Sequence, residues 1–254
     1  MLSVPAKYRL NLKVRQGLTL SLLGALLAAP VLVRAQATNL STTAPRQTPT
    51  RFEKEIDAFL AADKTNPPPR RAILFIGSSI FRQWTKLPEQ MAPLPVFNRA
   101  FGGSQTTDLL YYLDQVVLPY EPRIIVYYCG SNDINADRTA DRIFDGFHRF
   151  VEQVHAKLPQ TRIFYVSINR APQKQRRWNV VDAANQLVRD FCEKDKTLRF
   201  IDVNPVLFDE RGQPRLELYQ SDHLHFKEPA YAAFAARIKP VIARAWAEMV
   251  KTSD

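Results

Sequence analysis

Five short apolar segments, each separated from the next by a helical pattern, constrain the fold of this 254-residue chain more than any other feature. The segments span 72–77, 96–101, 123–129, 162–167 and 198–203. They are too short for helices, and their apolar runs are typical of strands that are buried on both faces of a parallel sheet. A last helix is predicted over 228–251. The alternation therefore predicts an α/β fold: a five-stranded parallel sheet with right-handed crossovers and helices on both faces.

The first 37 residues lie outside this pattern and have the three parts of a secretory signal. Basic residues precede an apolar run over 18–33, and Ala35-Gln36-Ala37 fits a signal-peptidase site. An uncleaved anchor is the alternative, but the run is short for a bilayer span and contains Pro30. We predict cleavage after Ala37 and a secreted or periplasmic protein without stable membrane insertion.

Composition divides the rest of the chain into two parts. Residues 38–50 are rich in Thr, Pro, Ser and Gln and have no apolar period, which predicts a flexible leader. Residues 51–254 carry all five strand patterns and are predicted to form one domain.

Removal of the signal changes the interpretation of the charge. The signal carries five Lys or Arg residues and no acid, so the formal net charge falls from +10 to +5. A mildly basic surface is not the footprint of a nucleic-acid-binding protein, and we predict no nucleic-acid partner. In an exported protein two cysteines can pair, but Cys129 and Cys192 fall in apolar patterns, and we predict buried free thiols.

Small and polar residues follow three of the predicted strands at the point where each strand ends. Ser78-Ser79 follows the first strand, Gly103 the second and Asn132 the third. Ser104, next to Gly103, is predicted to cap the helix that follows. Because the carboxyl ends of parallel strands share one edge of the sheet, where open α/β sheets bind ligands, these residues can converge there. A serine there is either a nucleophile or a helix N-cap. Gly103 and Asn132 are either turn residues or donors to an oxyanion.

A serine nucleophile needs a base, and the base needs an orienting carboxylate. Of the four histidines, His148 and His155 lie on one predicted helix and are interpreted as surface or boundary residues. Asp222 and His225 are three residues apart, which places carboxylate and imidazole on the same side of the chain. His223, adjacent to Asp222, points away. We choose His225 as base and Asp222 as its orienter; a capping aspartate followed by exposed histidines is the alternative.

Four motifs resemble, in order, those of the SGNH (GDSL-like) hydrolases, whose blocks read GDS, a single glycine, GxND and DxxH. The motifs here are Gly77-Ser78-Ser79, Gly103, Gly130-Ser131-Asn132-Asp133 and Asp222-His223-Leu224-His225. The resemblance covers nearly all of residues 70–250. Arg82-x-Trp84 and Phe101-Gly102-Gly103-Ser104 are similar to the subgroup related to platelet-activating-factor acetylhydrolase.

This resemblance implies a three-layer α/β/α, flavodoxin-like fold and ester hydrolysis through an acyl-enzyme, with no metal or organic cofactor. It implies Ser79 as nucleophile, Asp222 and His225 as the other triad members, and an oxyanion hole made by Ser79, Gly103 and Asn132. The family usually has Asp where this chain has Ser78. Two adjacent serines result, and position alone does not decide between them.

The implied substrate is a small-molecule or polysaccharide ester: an O-acetyl group on carbohydrate, a short-chain ester or a lipid ester. The basic loop 169–178 ends in Trp178, which we predict to contact substrate, with a solvated loop as the alternative. A non-catalytic glycan- or lipid-binding protein on the same fold is the competing function; it would lack a nucleophile, a base or an oxyanion donor. A cofactor-binding flavodoxin would need a phosphate-cradling loop richer in glycine than 77–81.

No metal site is predicted. The segment 133–137 begins like a calcium loop, with acidic or amide side chains at alternate positions. Arg138, however, stands where that loop requires glycine, and Phe144 stands where it requires a bidentate acid.

Overall fold

The computed structural model describes residues 51–251, and its centre is one sheet of five parallel strands. The strands are β1 Ile73–Gly77, β2 Val96–Asn98, β3 Ile124–Tyr128, β4 Arg162–Val166 and β5 Leu198–Ile201. Their order in the sheet is β2-β1-β3-β4-β5. The chain leaves β1 toward β2 and continues on the other side of β1 with β3, so the crevice where open α/β sheets bind ligands lies at the carboxyl ends of β1 and β3.

Nine α-helices of the described region cover the two faces of the sheet, which confirms the predicted α/β architecture. They are α1 Glu53–Asp63, α2 Ser79–Arg82, α3 Leu87–Met91, α4 Thr106–Tyr111, α5 Leu113–Val116, α6 Ser131–Asn135, α7 Ala140–Lys157, α8 Trp178–Cys192 and α9 Glu228–Lys251. One apolar core lies between the sheet and α1, α4, α5, α7 and α8. A second core lies between the opposite face and α2, α3 and α9.

The strands divide their side chains between these two cores. In β1, Leu74 and Ile76 belong to the first core, whereas Ile73 and Phe75 belong to the second. All of β1 and β3 is buried. Successive side chains of a strand point to opposite faces, and both faces are covered, which is why these strands read as unbroken apolar runs.

Two predicted boundaries near the sheet edge are wrong, and side-chain hydrogen bonds explain both. The second strand ends at Asn98 rather than residue 101, because the Asn98 side chain accepts a bond from the N–H of Ala100 (2.9 Å) and turns the backbone. The next helix begins at Thr106 and is not capped by Ser104, whose hydroxyl is buried and donates to the carbonyl of Gly77 (3.1 Å).

Both cysteines are buried and unpaired. Burial raises the pKa of the Cys192 thiol to about 12 and that of Cys129 well above its ordinary value. The predicted signal over 1–37 and the leader over 38–50 lie outside the described residues. Within 51–251 no helix has both the length and the apolarity needed to cross a membrane.

Candidate active site

Ser79 lies where the chain leaves β1, at a turn that only a glycine allows. Gly77 has φ +153°, and a Cβ there would lie 2.0 Å from the carbonyl oxygen of Tyr128 on the neighbouring strand. Ser78 follows in an extended conformation and is 1% exposed. Ser79 then begins α2 and is partly exposed. The two adjacent serines therefore have different surroundings, which the sequence did not distinguish.

The short helix α2, which carries Ser79, packs on a buried cluster of aromatic side chains. Phe81 and Trp84 pack on each other and on Phe75 of β1. From α9, Tyr231 stacks on Trp84 and donates its hydroxyl to the carbonyl of Ile80 (2.9 Å). Because a four-residue helix has little stability of its own, this packing fixes its orientation.

The structure brings Ser79, His225 and Asp222 together. His225 Nε2 lies 2.9 Å from the Ser79 hydroxyl oxygen, and its Nδ1 lies 2.5 Å from Asp222 Oδ2. The other carboxylate oxygen of Asp222 accepts the N–H groups of Leu224 (3.0 Å) and His225 (2.9 Å). One imidazole thus joins the hydroxyl to a carboxylate that its own turn holds in place.

The turn that carries Asp222 and His225 is anchored at both ends. The Gln220 N–H donates to the His225 carbonyl (2.7 Å), and the Gln173 N–H donates to the His223 carbonyl (3.1 Å). His223, between Asp222 and His225, has φ +57°, a left-handed backbone conformation typical of a tight turn. Backbone bonds therefore hold this largely exposed turn over α2.

Electrostatics keeps the Asp222 carboxylate ionised. Burial alone would raise its pKa, but bonds from the His225 ring and from the N–H groups of His225 and Leu224 outweigh burial and hold the pKa at about 2. Lys174 is buried nearby, and its Nζ donates to the Gln173 side chain (3.0 Å). Burial lowers the pKa of Lys174 to about 8, against the opposing effect of the Asp222 charge.

The two other predicted donors follow β2 and β3 along the chain. Gly103 has φ +81°, so its conformation favours glycine. Asn132 lies in α6 and donates one amide hydrogen to the Ser104 carbonyl (3.0 Å), which ties the loop after β3 to the loop after β2. An amide nitrogen carries two hydrogens, so the second is available to a ligand.

Asp133 has a positioning role that the sequence did not reveal. Its carboxylate is buried and accepts bonds from the Thr106 N–H (3.1 Å) and the Thr106 hydroxyl (2.7 Å). Burial raises the pKa of Asp133, and the bonds from Thr106 reduce that rise. A Cβ at Gly146 of α7 would lie 2.4 Å from the Thr106 hydroxyl, so α7 packs directly behind this pair. The aspartate therefore fixes α6, and with it Asn132, to the start of α4.

Three other candidate residues have contacts away from the triad. Trp178 donates its indole N–H to the Ala171 carbonyl (2.9 Å) and packs against Phe208. On α7, His155 Nε2 lies 2.9 Å from the Thr161 carbonyl oxygen, and His148 lies 3.9 Å from a neighbouring glutamate. Within 51–251 no group of three or more acidic, His or Cys side chains could hold a metal ion.

A hydroxyl, an imidazole and a carboxylate joined in this order are the groups of a serine hydrolase. The model of the GDSL-like lipase/acylhydrolase family matches residues 77–233, more than half of the chain, and the protein belongs to this family. It is therefore a serine hydrolase that acts on ester bonds. No curated protein matches the chain significantly.

Solved structures share the fold. One from Streptococcus pneumonia, described as a platelet activating factor, is 24% identical with a TM-score of 0.64 and covers 74% of this chain and 91% of its own. An acylhydrolase from Bacteroides fragilis is 17% identical (TM-score 0.64; 75% and 97% covered). A GDSL-like lipase from Bacteroides thetaiotaomicron is 18% identical (TM-score 0.62; 75% and 98% covered).

Proposed function

We propose that this protein is an exported esterase in which Ser79 is the nucleophile, His225 the general base and Asp222 the orienting carboxylate. His225 Nε2 takes the Ser79 proton as the hydroxyl oxygen attacks the ester carbonyl. The tetrahedral intermediate collapses to an acyl-enzyme when protonated His225 gives that proton to the leaving alcohol. Water then repeats the sequence and releases the acid. The chemistry needs only these side chains and water.

The observation that carries the proposal is the double contact of one imidazole. Nε2 of His225 is within hydrogen-bond distance of the Ser79 hydroxyl while Nδ1 is within that distance of Asp222. The carboxylate selects the tautomer that leaves Nε2 free to accept a proton, and it stabilises the imidazolium that results. Ser78 has no such partner: its hydroxyl is buried without a hydrogen bond among the described residues.

The proposed oxyanion hole consists of the N–H groups of Ser79 and Gly103 and the side chain of Asn132. Three donors on three successive strand ends converge on the negative oxygen that develops during attack. The bond from Asn132 to the Ser104 carbonyl and the contact of Asp133 with Thr106 hold this set in position. Preorganised donors of this kind stabilise the transition state without reorganising during the reaction.

We propose that the natural substrates are esters met outside the cytoplasm: O-acetyl groups on polysaccharide, short-chain esters or lipid esters. The proposal combines the family's acylhydrolase activity with the signal pattern over 1–37 and the leader over 38–50. Trp178 is proposed as a peripheral contact with the alcohol part of the substrate. The segment 51–254 forms the catalytic domain in this arrangement.

Hydrolysis of p-nitrophenyl acetate by the wild type, Ser79→Ala and Ser78→Ala tests the assignment. We expect Ser79→Ala to lower kcat by a factor on the order of 10⁴ to 10⁶. The same chemical change one residue earlier removes a hydroxyl without a partner, so Ser78→Ala should leave kcat close to that of the wild type.

Two results would contradict this assignment. Activity that survives in Ser79→Ala and disappears in Ser78→Ala would move the nucleophile by one residue. A folded wild type that hydrolyses neither this ester nor acetylated polysaccharide would favour the non-catalytic glycan- or lipid-binding alternative.

A further inference from the structure

Two arginines flank the glycine pair Gly102–Gly103 beside the candidate nucleophile. Arg82 lies on α2, three residues after Ser79, and Arg51 precedes α1. A Cβ on Gly102 would lie 2.6 Å from Nε of Arg82, and a Cβ on Gly103 would lie 2.6 Å from Nη2 of Arg51. The guanidinium groups therefore occupy the space that side chains at the two glycines would fill.

Neither guanidinium group forms an ion pair within residues 51–251, and both side chains are exposed. Seven other arginines of this range do form ion pairs, among them Arg99 with Asp63 and Arg170 with Asp182. Residues 1–50, which precede Arg51, contain no Asp or Glu. Among the described residues, the positive charge at the glycine pair is thus not neutralised by an ion pair.

One carboxylate accepts a hydrogen bond from the backbone of the glycine pair. Glu55 of α1 accepts the N–H of Gly102 through Oε1 at 3.5 Å. It does not reach either guanidinium group to within the 4.0 Å of an ion pair. Glu55 thus offsets only part of the positive charge that the two guanidinium groups place beside the glycine pair.

Arg51 is held at the glycine pair by an aromatic ring rather than by an acid. Its guanidinium carbon lies 4.9 Å from the centre of the Phe52 ring, and Phe52 packs edge-on against buried Phe101 at 4.9 Å. A cation over a ring face is attracted by the ring, yet the N–H groups in the guanidinium plane stay free to bind a ligand. The Arg51 guanidinium group is therefore held in place and can bind an anion.

We propose that the site hydrolyses esters that carry a second, anionic group close to the scissile ester, and that Arg51 and Arg82 bind this group. The inference rests on the esterase function proposed above and names its substrate class. Guanidinium groups bind carboxylates, phosphates and sulfates through paired N–H donors. The anion can belong to the acyl part or to the alcohol part of the substrate, since both adjoin the reacting carbonyl.

Two matched pairs of esters test the proposal on the purified protein. Mono-p-nitrophenyl succinate and its methyl ester differ by a charge on the acyl side. The anion of 4-acetoxybenzoic acid and its methyl ester differ by a charge on the alcohol side. Within each pair, the ratio of kcat/KM for the anionic ester to that for the neutral ester is followed across variants, so that the intrinsic reactivity of each ester cancels.

The variants are Arg51→Gln, Arg82→Gln, Arg82→Lys and, as a control for net charge, Arg244→Gln. Arg244 lies on α9 in a groove beside β5, away from the triad. We expect Arg51→Gln and Arg82→Gln each to lower the ratio roughly 10- to 100-fold in at least one pair. The neutral esters should keep their kcat/KM, Arg82→Lys should retain part of the preference, and Arg244→Gln should retain all of it. High salt should weaken the preference of the wild type.

Equal losses for the anionic and the neutral ester would overturn the proposal, because they would show that the arginines only position the glycine loop. A ratio unchanged by either glutamine variant would overturn it as well. If the neutral esters are still hydrolysed in a Ser79-dependent way, the proposed function stands and only the anion preference fails.

Binding to the Ser79→Ala variant separates the two proposals when turnover is absent. Calorimetric titration with mono-p-nitrophenyl succinate, and with its methyl ester, measures recognition without chemistry. A tighter Kd for the anionic ester that is lost when Arg51→Gln is added supports the arginine site even if no ester is hydrolysed. Equal Kd values for the two esters, in this background and with the benzoate pair, would refute it.

Discussion

The two halves of the carboxyl edge of the sheet differ in whether their polar groups bond one another. After β4 and β5, polar side chains bond one another: the Ser167 hydroxyl donates to Asp202 (3.0 Å) and accepts the side chain of Asn204 (3.1 Å). Asn185 binds both the N–H and the carbonyl of Ile168 at 2.9 Å. We call this the closed half.

The other half, after β1, β2 and β3, leaves polar groups available. Among residues 51–251, the Ser79 hydroxyl bonds only the His225 imidazole, and Asn132 uses one of its two amide hydrogens. In the same range, the Arg51 and Arg82 guanidinium groups form no ion pair. We call this the open half. Both halves lie at the carboxyl edge, where open α/β sheets bind ligands. The difference teaches that position on the edge does not define a site, whereas uncommitted donors and acceptors do.

Among variants that keep the Ser79 hydroxyl, Asp222→Asn should give the largest effect on kcat, because it removes the charge that orients His225. We expect kcat to fall roughly 10⁴-fold, since the amide no longer selects the productive imidazole tautomer. The low pKa of Asp222, about 2, means that the wild-type carboxylate contributes stability above its ordinary pKa of 3.8 and loses it only as pH falls through about 2. Steady-state rates near neutral pH check the first point, and thermal melts from about pH 6 down to about pH 2 check the second. A kcat within tenfold of wild type would remove Asp222 from the triad.

Two asparagines allow a direct comparison of the halves. Asn132→Ala in the open half should lower kcat roughly 10² to 10³-fold and leave KM almost unchanged, because its donor acts on the transition state. Asn204→Ala in the closed half should leave kcat unchanged and lower the free energy of unfolding by roughly 1–3 kcal/mol, because Ser167 and the Arg170 N–H lose a partner. Kinetics and urea unfolding of both variants measure the contrast, and a reversed pattern would refute it.

Lys174, between the two halves, should give a pH-dependent change in stability. Its pKa falls from 10.5 when unfolded to about 8 when folded, so the unfolded chain binds more protons between these values. The wild type therefore gains stability as pH rises through that window. Lys174→Met should stabilise the fold by about 3 kcal/mol below pH 8, with the advantage gone above about pH 10.5. Urea unfolding at several pH values checks this; a pH-independent difference would show that the lysine is not desolvated.

Trp178→Ala should have a small effect on catalysis and tests whether substrate reaches the closed half. We expect KM to rise several-fold with kcat unchanged, as for a residue that contributes binding only. Trp178→Phe is the matched control, because it keeps an aromatic ring against Phe208 and loses only the bond to Ala171. A fall in kcat alone would contradict the binding role.

Local sequence patterns predicted much of this structure. Continuous apolar runs predicted the parallel sheet, because strands buried on both faces are apolar at every position. The helical patterns between them, each apolar on one face, predicted the two covering layers. The predicted boundaries were wrong where a side chain formed a hydrogen bond with the backbone at the end of an element. β2 ends early because the Asn98 side chain accepts a backbone N–H, and Ser104 donates to the Gly77 carbonyl instead of capping α4. Neither hydrogen bond is visible in the local sequence.

The sequence by itself determined the fold class, the family and a short set of candidate residues, because these depend on periodicity and on short motifs. Tertiary structure alone decided which of two adjacent serines meets an imidazole 146 positions away. It also decided that Asp133 holds Thr106, and that Arg51 and Arg82 meet at one glycine pair. These contacts join segments distant in the chain, and only the packing of helices on a shared sheet brings such segments together.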